Sequence, residues 1–127
     1  MKTLFTTHAF VSWLFGLALL LVPVTMLAAY GITLNPGGIV IARLLGGAFV
    51  GLGVVAWLAR GAAPSEALRA IILGIAVIAT LGCLVSIHGV LSNASNALGW
   101  VTVVLYGFFA VGFGSLATAK APIPAHT

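Results

Sequence analysis

Residues 60–69 read RGAAPSEALR and carry three of the six charged side chains, five Lys or Arg and one Glu, in a chain of 127 residues. An apolar run longer than 20 residues lies on either side. A helix needs roughly 20 predominantly apolar residues to cross a bilayer, so the stretch reads as a short polar turn between two membrane-length segments. Gly61 and Pro64 interrupt the helix, Ser65 is placed to cap the next one, and Glu66 falls in its first turn, where the positive end of the helix dipole favours a carboxylate.

Two further breaks lie outward from this turn: GITLNPGG at residues 31–38, with an Asn-Pro-Gly-Gly run that ends a helix and starts a turn, and the small polar SNASNA at 92–97. They delimit four spans, at about 8–30, 38–59, 68–91 and 98–119, and a tail, 120–127, whose two prolines stop the last helix. The first span superficially resembles a signal peptide. Its apolar run is longer than a signal core and lacks a clean A-x-A, so it is read as a span. The chain is predicted to be an all-α membrane protein of one domain, four transmembrane helices in an up-down-up-down antiparallel bundle.

Composition agrees, with 62% hydrophobic and 5% charged residues. The scattered cations do not form the clustered basic face that nucleic acid requires. A single cysteine, Cys83, excludes an internal disulfide. Lys2, Arg60, Arg69 and Lys120 all fall at the N-terminus, in the second loop or in the tail, and the other two loops contain no Lys or Arg. The positive-inside rule therefore places both termini and the second loop in the cytoplasm.

A shift of 61 residues lays Gly38, Gly46, Gly51 and Gly53 onto Gly99, Gly107, Gly112 and Gly114, and Asn35 onto Asn96. This raises a parallel repeat of two helices. Small residues let helix backbones approach closely in lipid, so Gly46, Gly47, Gly51 and Gly53 of the second span and Gly107, Gly112 and Gly114 of the fourth are the expected packing faces, which makes these two spans either the packing centre or the faces offered to a partner.

Depth along the helices singles out one polar level. Arg43 lies about 7 Å into the second span and His88 about 5 Å from the end of the third, on the same, non-cytoplasmic side. Tyr30 and Trp100 close and open their spans at that boundary, with Ser86, Asn93 and Asn96 nearby. A charge inside a membrane span is a functional hypothesis by default. Arg43, His88, Tyr30 and Trp100 are therefore the candidate ligand-binding residues, suited to a lipid headgroup, a quinone carbonyl, a pigment or a partner's carboxylate. The competing reading has Arg43 snorkelling to the headgroups, with Tyr30 and Trp100 as interfacial belt residues.

His8 starts the first span at the opposite side from His88, so the two cannot share a haem, and no metal set is expected. Glu66 is the only carboxylate side chain and is also far from His88, which leaves no general acid-base pair. Pro23 is expected to kink the first span, and Cys83 to serve packing.

At Ala42-Arg43-Leu44 with Gly46, and again at Asn96-Ala97-Leu98-Gly99-Trp100, the chain resembles small four-helix bacterial inner-membrane proteins of the DoxX-like kind and a neighbouring family of unassigned function. The resemblance implies a four-helix fold in the bacterial inner membrane and carries over no catalytic residue. Abundant packing surface and almost no chemistry together lead to the expectation of a non-enzymatic accessory or structural subunit, packed against other integral subunits of a larger respiratory or photosynthetic complex. The alternative is a small-ligand binder that holds a lipid, quinone or pigment near the periplasmic surface.

Overall fold

Local chemistry accounts for where each helix begins. In the computed structural model, which describes residues 1–119, the helices are α1 (Lys2–Leu21), α2 (Pro23–Ala29), α3 (Pro36–Ala59), α4 (Glu66–Leu91) and α5 (Gly99–Thr118). Lys120 and the rest of the tail fall outside the described residues. The described chain is all-helical, and α1, α3, α4 and α5 are each long and apolar enough to cross a membrane.

Asn35 caps α3, its Oδ1 accepting from the Gly38 N–H at 2.7 Å, and Pro36 occupies the first turn, where its missing N–H costs nothing. The Asn-Pro-Gly-Gly run thus opens the helix two residues before the expected position 38. Ser65 caps α4 as expected, accepting from the Leu68 N–H at 3.1 Å, with Glu66 in the first turn.

The largest shift is at the start of α1, which begins at Lys2 rather than near residue 8. Thr6 and Thr7 do not delay the helix, because their hydroxyls donate to the carbonyls of Lys2 and Thr3 at 2.9 and 2.8 Å. Six extra helical residues carry His8 about 9 Å along the helix, away from the surface position expected for it. Pro23 does more than kink the first span. Val22 leaves helical geometry (φ −135°, ψ 55°) and Pro23 starts the separate seven-residue helix α2.

The four long helices form two antiparallel hairpins, α1 with α3 and α4 with α5. In the first, the backbones close on each other at Gly16 and Gly46. A Cβ at Gly46 would stand 2.7 Å from the Gly16 carbonyl oxygen and 2.8 Å from the Leu20 nitrogen. The indole of Trp13 lies over Gly53 and donates to the Val50 carbonyl at 3.2 Å. In the second hairpin Gly82 lies under the ring of Tyr106, and the Cys83 thiol points to the Val103 carbonyl at 3.7 Å.

The hairpins meet through α1 and α5. Phe5 meets Phe113 edge-on with ring centroids 5.1 Å apart, and Ala56, Ala59, Leu68 and Ile72 complete a core beside the second loop. There the Arg60 guanidinium stacks over Trp57 at 3.6 Å, an interfacial cation–π pair. At the far end Asn96 joins the third loop to the first: its backbone N–H donates to the Tyr30 carbonyl at 2.8 Å and its Nδ2 to that of Ala29 at 3.0 Å. Gly31, at φ +75°, makes the turn that lets Asn96 lie against it.

This packing revises the expected glycine faces. Gly46, Gly53 and Gly112 sit in close contacts, the last against Leu4. Gly47, Gly51 and Gly114 have nothing within 4 Å of where a Cβ would stand, and Gly107 meets only the Cys83 sulfur at 3.9 Å. The second and fourth spans are not a common packing centre, because each short loop pairs a helix with its chain neighbour and the hairpins touch mainly through α1 and α5. The 61-residue shift superposes one hairpin on the other, and Asn35 and Asn96 each accept from a backbone N–H in the turn leading into the next helix. The superposed glycines stand in unlike surroundings.

On α3 side-chain size is sorted opposite to that of a soluble helix. Every buried residue of α3 is alanine or glycine, namely Ala42, Gly46, Gly53, Ala56 and Ala59. Its large residues, such as Val40, Leu44 and Leu58, are exposed. Small residues inside and bulky aliphatics outside are what a helix surrounded by lipid requires, and the architecture fits a multi-pass membrane protein.

Candidate functional site

Away from the core at the second loop the two hairpins diverge and enclose a cavity of about 750 Å³. Its lining comes from all five helices and, among the described residues, contains no Lys, Arg, Asp or Glu. Ile41 and Leu45 of α3 and Ile78, Leu81 and Val85 of α4 line the cavity and are also exposed, which marks a sideways mouth between α3 and α4. Those two helices scarcely touch. The volume lies within the range of about 300–1,000 Å³ usual for small-molecule sites.

The floor is polar. His8 and Ser12, one turn apart on α1, are each only 6% exposed, and both line the cavity. Ser12 Oγ lies 3.4 Å from His8 Nδ1. The imidazole is held edge-on by two rings of α5, Phe109 at 4.7 Å and Phe113 at 5.4 Å between centroids. With Nδ1 taken by Ser12, Nε2 has no hydrogen-bond partner among the described residues. No fully enclosed side-chain nitrogen or oxygen among them goes unpaired, so Nε2 keeps accessible surface, and the His8 side chain is part of the cavity lining.

The rim at the opposite end is closed by a bond between hairpins. Tyr30 Oη and Thr102 Oγ1 lie 2.8 Å apart, linking the residue that ends α2 to the first turn of α5. Ser86, Ser95 and Tyr106 add hydroxyls to the walls.

Of the four residues predicted to form a ligand site, the structure gives only Tyr30 a place in this cavity. Arg43 and His88 are exposed, Trp100 is 44% exposed, and none of the three lines the cavity. Depth along the helices was legible, whereas direction was not. Ala42, Gly89 and Gly99 line the cavity, and each is the immediate neighbour of an outward residue, Arg43, His88 or Trp100, turned by about 100° around the helix. The four therefore do not share this cavity, and the exposure of Arg43 and Trp100 matches the snorkelling and belt geometry.

Sequence reasoning missed the His8–Ser12 floor because the helix was taken to begin at residue 8. A usable signal exists: Phe5, His8, Ala9, Ser12, Gly16 and Leu19, the buried residues of α1, recur at spacings of three and four and trace one face.

The chain matches no protein-family model, no curated protein and no solved structure. No three His, Cys, Asp or Glu side chains come together among the described residues.

Proposed function

We propose that the protein is a non-enzymatic small-ligand binder of the membrane, holding an apolar, tail-bearing molecule of the lipid, quinone or pigment kind between its two hairpins. The observation that carries this reading is the uncharged cavity of about 750 Å³ with its mouth between α3 and α4. A mouth flanked by exposed aliphatic side chains admits a molecule already dissolved in the bilayer, without passage through water. The site proposed here is the cavity and not the level of Arg43.

Ala42 and Ala79, both buried and both lining the cavity, provide the test. Protein purified in mild detergent is expected to release an apolar compound in a fixed molar ratio on solvent extraction. Ala42→Trp and Ala79→Phe are expected to abolish that recovery. Wild-type protein that carries no such compound, or recovery that neither substitution changes, counts against the reading.

The distribution of Lys2, Arg60 and Arg69 supports cytoplasmic termini, and the DoxX-like resemblance supports the bacterial inner membrane. In a Cys83→Ser background, a cysteine placed at Ala63 is expected to react with a membrane-impermeant thiol reagent only from the cytoplasmic side, and one at Ala94 only from the other.

A second reading, an accessory subunit of a larger respiratory or photosynthetic complex, draws on a different observation. Gly47 and Gly51 are exposed on α3 with open space above them, so a helix of a partner could approach there closely. Native purification followed by mass spectrometry is its test, and a chain that runs alone sinks it.

A further inference from the structure

We propose that the cavity takes its ligand head-inward, with an uncharged oxygen group, a carbonyl or a hydroxyl, hydrogen-bonded to Nε2 of His8 while the tail leaves between α3 and α4. This rests on the ligand-binding reading above and deepens it. The apolar walls cannot by themselves select a ligand, because a hydrocarbon tail gains no hydrophobic free energy in moving from the bilayer interior to an equally apolar pocket. Selection falls to polar groups.

Besides the wall hydroxyls of Ser86, Ser95 and Tyr106, a pair of polar side chains stands at each end. At the rim, Tyr30 and Thr102 already satisfy each other at 2.8 Å. At the floor, His8 is 6% exposed and lines the cavity, one ring nitrogen faces Ser12, and the other has no hydrogen-bond partner among the described residues. A polar atom left without a partner in an apolar site is costly, and a ligand oxygen would remove that cost. The head must be neutral: among the described residues no Lys, Arg, Asp or Glu lines the cavity, so a phosphate, carboxylate or ammonium would be stranded there without a counter-charge. Tail direction follows from the mouth, which the aliphatic side chains of Ile41, Leu45, Leu81 and Val85 flank.

The test uses the full chain in nanodiscs of zwitterionic phospholipid, with histidine ring nitrogens labelled with nitrogen-15 and three probes: decylubiquinone, 1-tetradecanol and the headless n-tetradecane. A shift of the His8 Nε2 resonance is expected with an oxygen-headed probe and not with tetradecane. A response to decylubiquinone alone identifies a carbonyl head, and a response to tetradecanol alone a hydroxyl head. His8→Phe, which keeps an aromatic ring between Phe109 and Phe113, is expected to weaken the responding probe by about tenfold while leaving tetradecane unchanged. His8→Gln, which retains an amide donor, is expected to recover part of the loss and guards against a folding defect. Oxygen-headed probes that bind equally well to wild type and to His8→Phe, or that leave the His8 resonance unmoved, overturn the head-inward placement and leave the ligand-binding reading intact. Wild-type protein that takes up none of the three probes overturns both.

Discussion

Gly46 and Gly47 are adjacent, yet they have opposite surroundings. A side chain on the first would meet the backbone of α1, and one on the second would meet open space. Gly46→Val is expected to destabilise the protein by about 1–3 kcal/mol, since neither backbone can retreat without opening the hairpin. Gly47→Ala is expected to stay within about 0.5 kcal/mol of wild type. Thermal unfolding in detergent, followed by circular dichroism, measures both, and equal effects would remove the assigned α1–α3 contact. Tyr30→Phe deletes the bond to Thr102, and a loss of about 0.6–1 kcal/mol is expected by the same measurement. Gly46 was legible in the sequence as a small residue suited to close packing. Its partner Gly16 was not, because only the pairing of α1 with α3 puts the two face to face.

Among the elements, α1 and α2 show how one residue divides a span. Pro23 removes a donor from the helix and Val22 turns out of helical geometry, so α2 is a helix separate from α1. With Pro23→Ala the two are expected to join. Spin labels at Leu17 and Ala29 should then move apart toward the roughly 18 Å of a continuous helix. An unchanged distance would show that packing, rather than proline, holds the break. The third loop offers a second case. Asn96→Ala removes the donor to the Ala29 carbonyl and is expected to raise amide hydrogen exchange in residues 29–32, with exchange near Phe113 unaffected. The cap at Ser65, the break at Gly61 and a disturbance at Pro23, read as a kink rather than a break, were legible because they depend on neighbouring residues alone. The early start of α1 was not, since threonines read as polar until their hydroxyls are seen bonded back to their own helix.

At the scale of the molecule, three aromatic side chains at one end fasten the hairpins: Phe5 from α1 with Phe109 and Phe113 from α5. Phe113 is fully buried, and Phe113→Ala is expected to cost about 3–5 kcal/mol. It should also lower the yield of disulfide between cysteines introduced at Leu4 and Gly112, which lie against each other across the two hairpins. If cross-linking survives undiminished, the hairpins are joined by something other than this cluster. Anchoring at one end is what lets α3 and α4 diverge elsewhere, so the cavity follows from where the aromatic residues lie along α1 and α5.

Apolar spans, polar breaks, helix caps and the skew of Lys and Arg are properties of neighbouring residues, and the sequence by itself determined them, along with the membrane class and the all-helical fold. Apart from α1, where His8, Ser12 and Gly16 recur at a spacing of four on the inner face, which way each helix turns was decided by tertiary structure. In water, an apolar stripe would have shown the inner face of each helix. In lipid, Leu44 and Val54 are as well placed outside as in, so apolarity carries no direction; on α3 the inner face is chosen by small residues, and between the hairpins by the contacts of Phe5, Phe109 and Phe113. That choice turned Arg43, His88 and Trp100 outward and put His8 and Ser12 at the floor of a cavity.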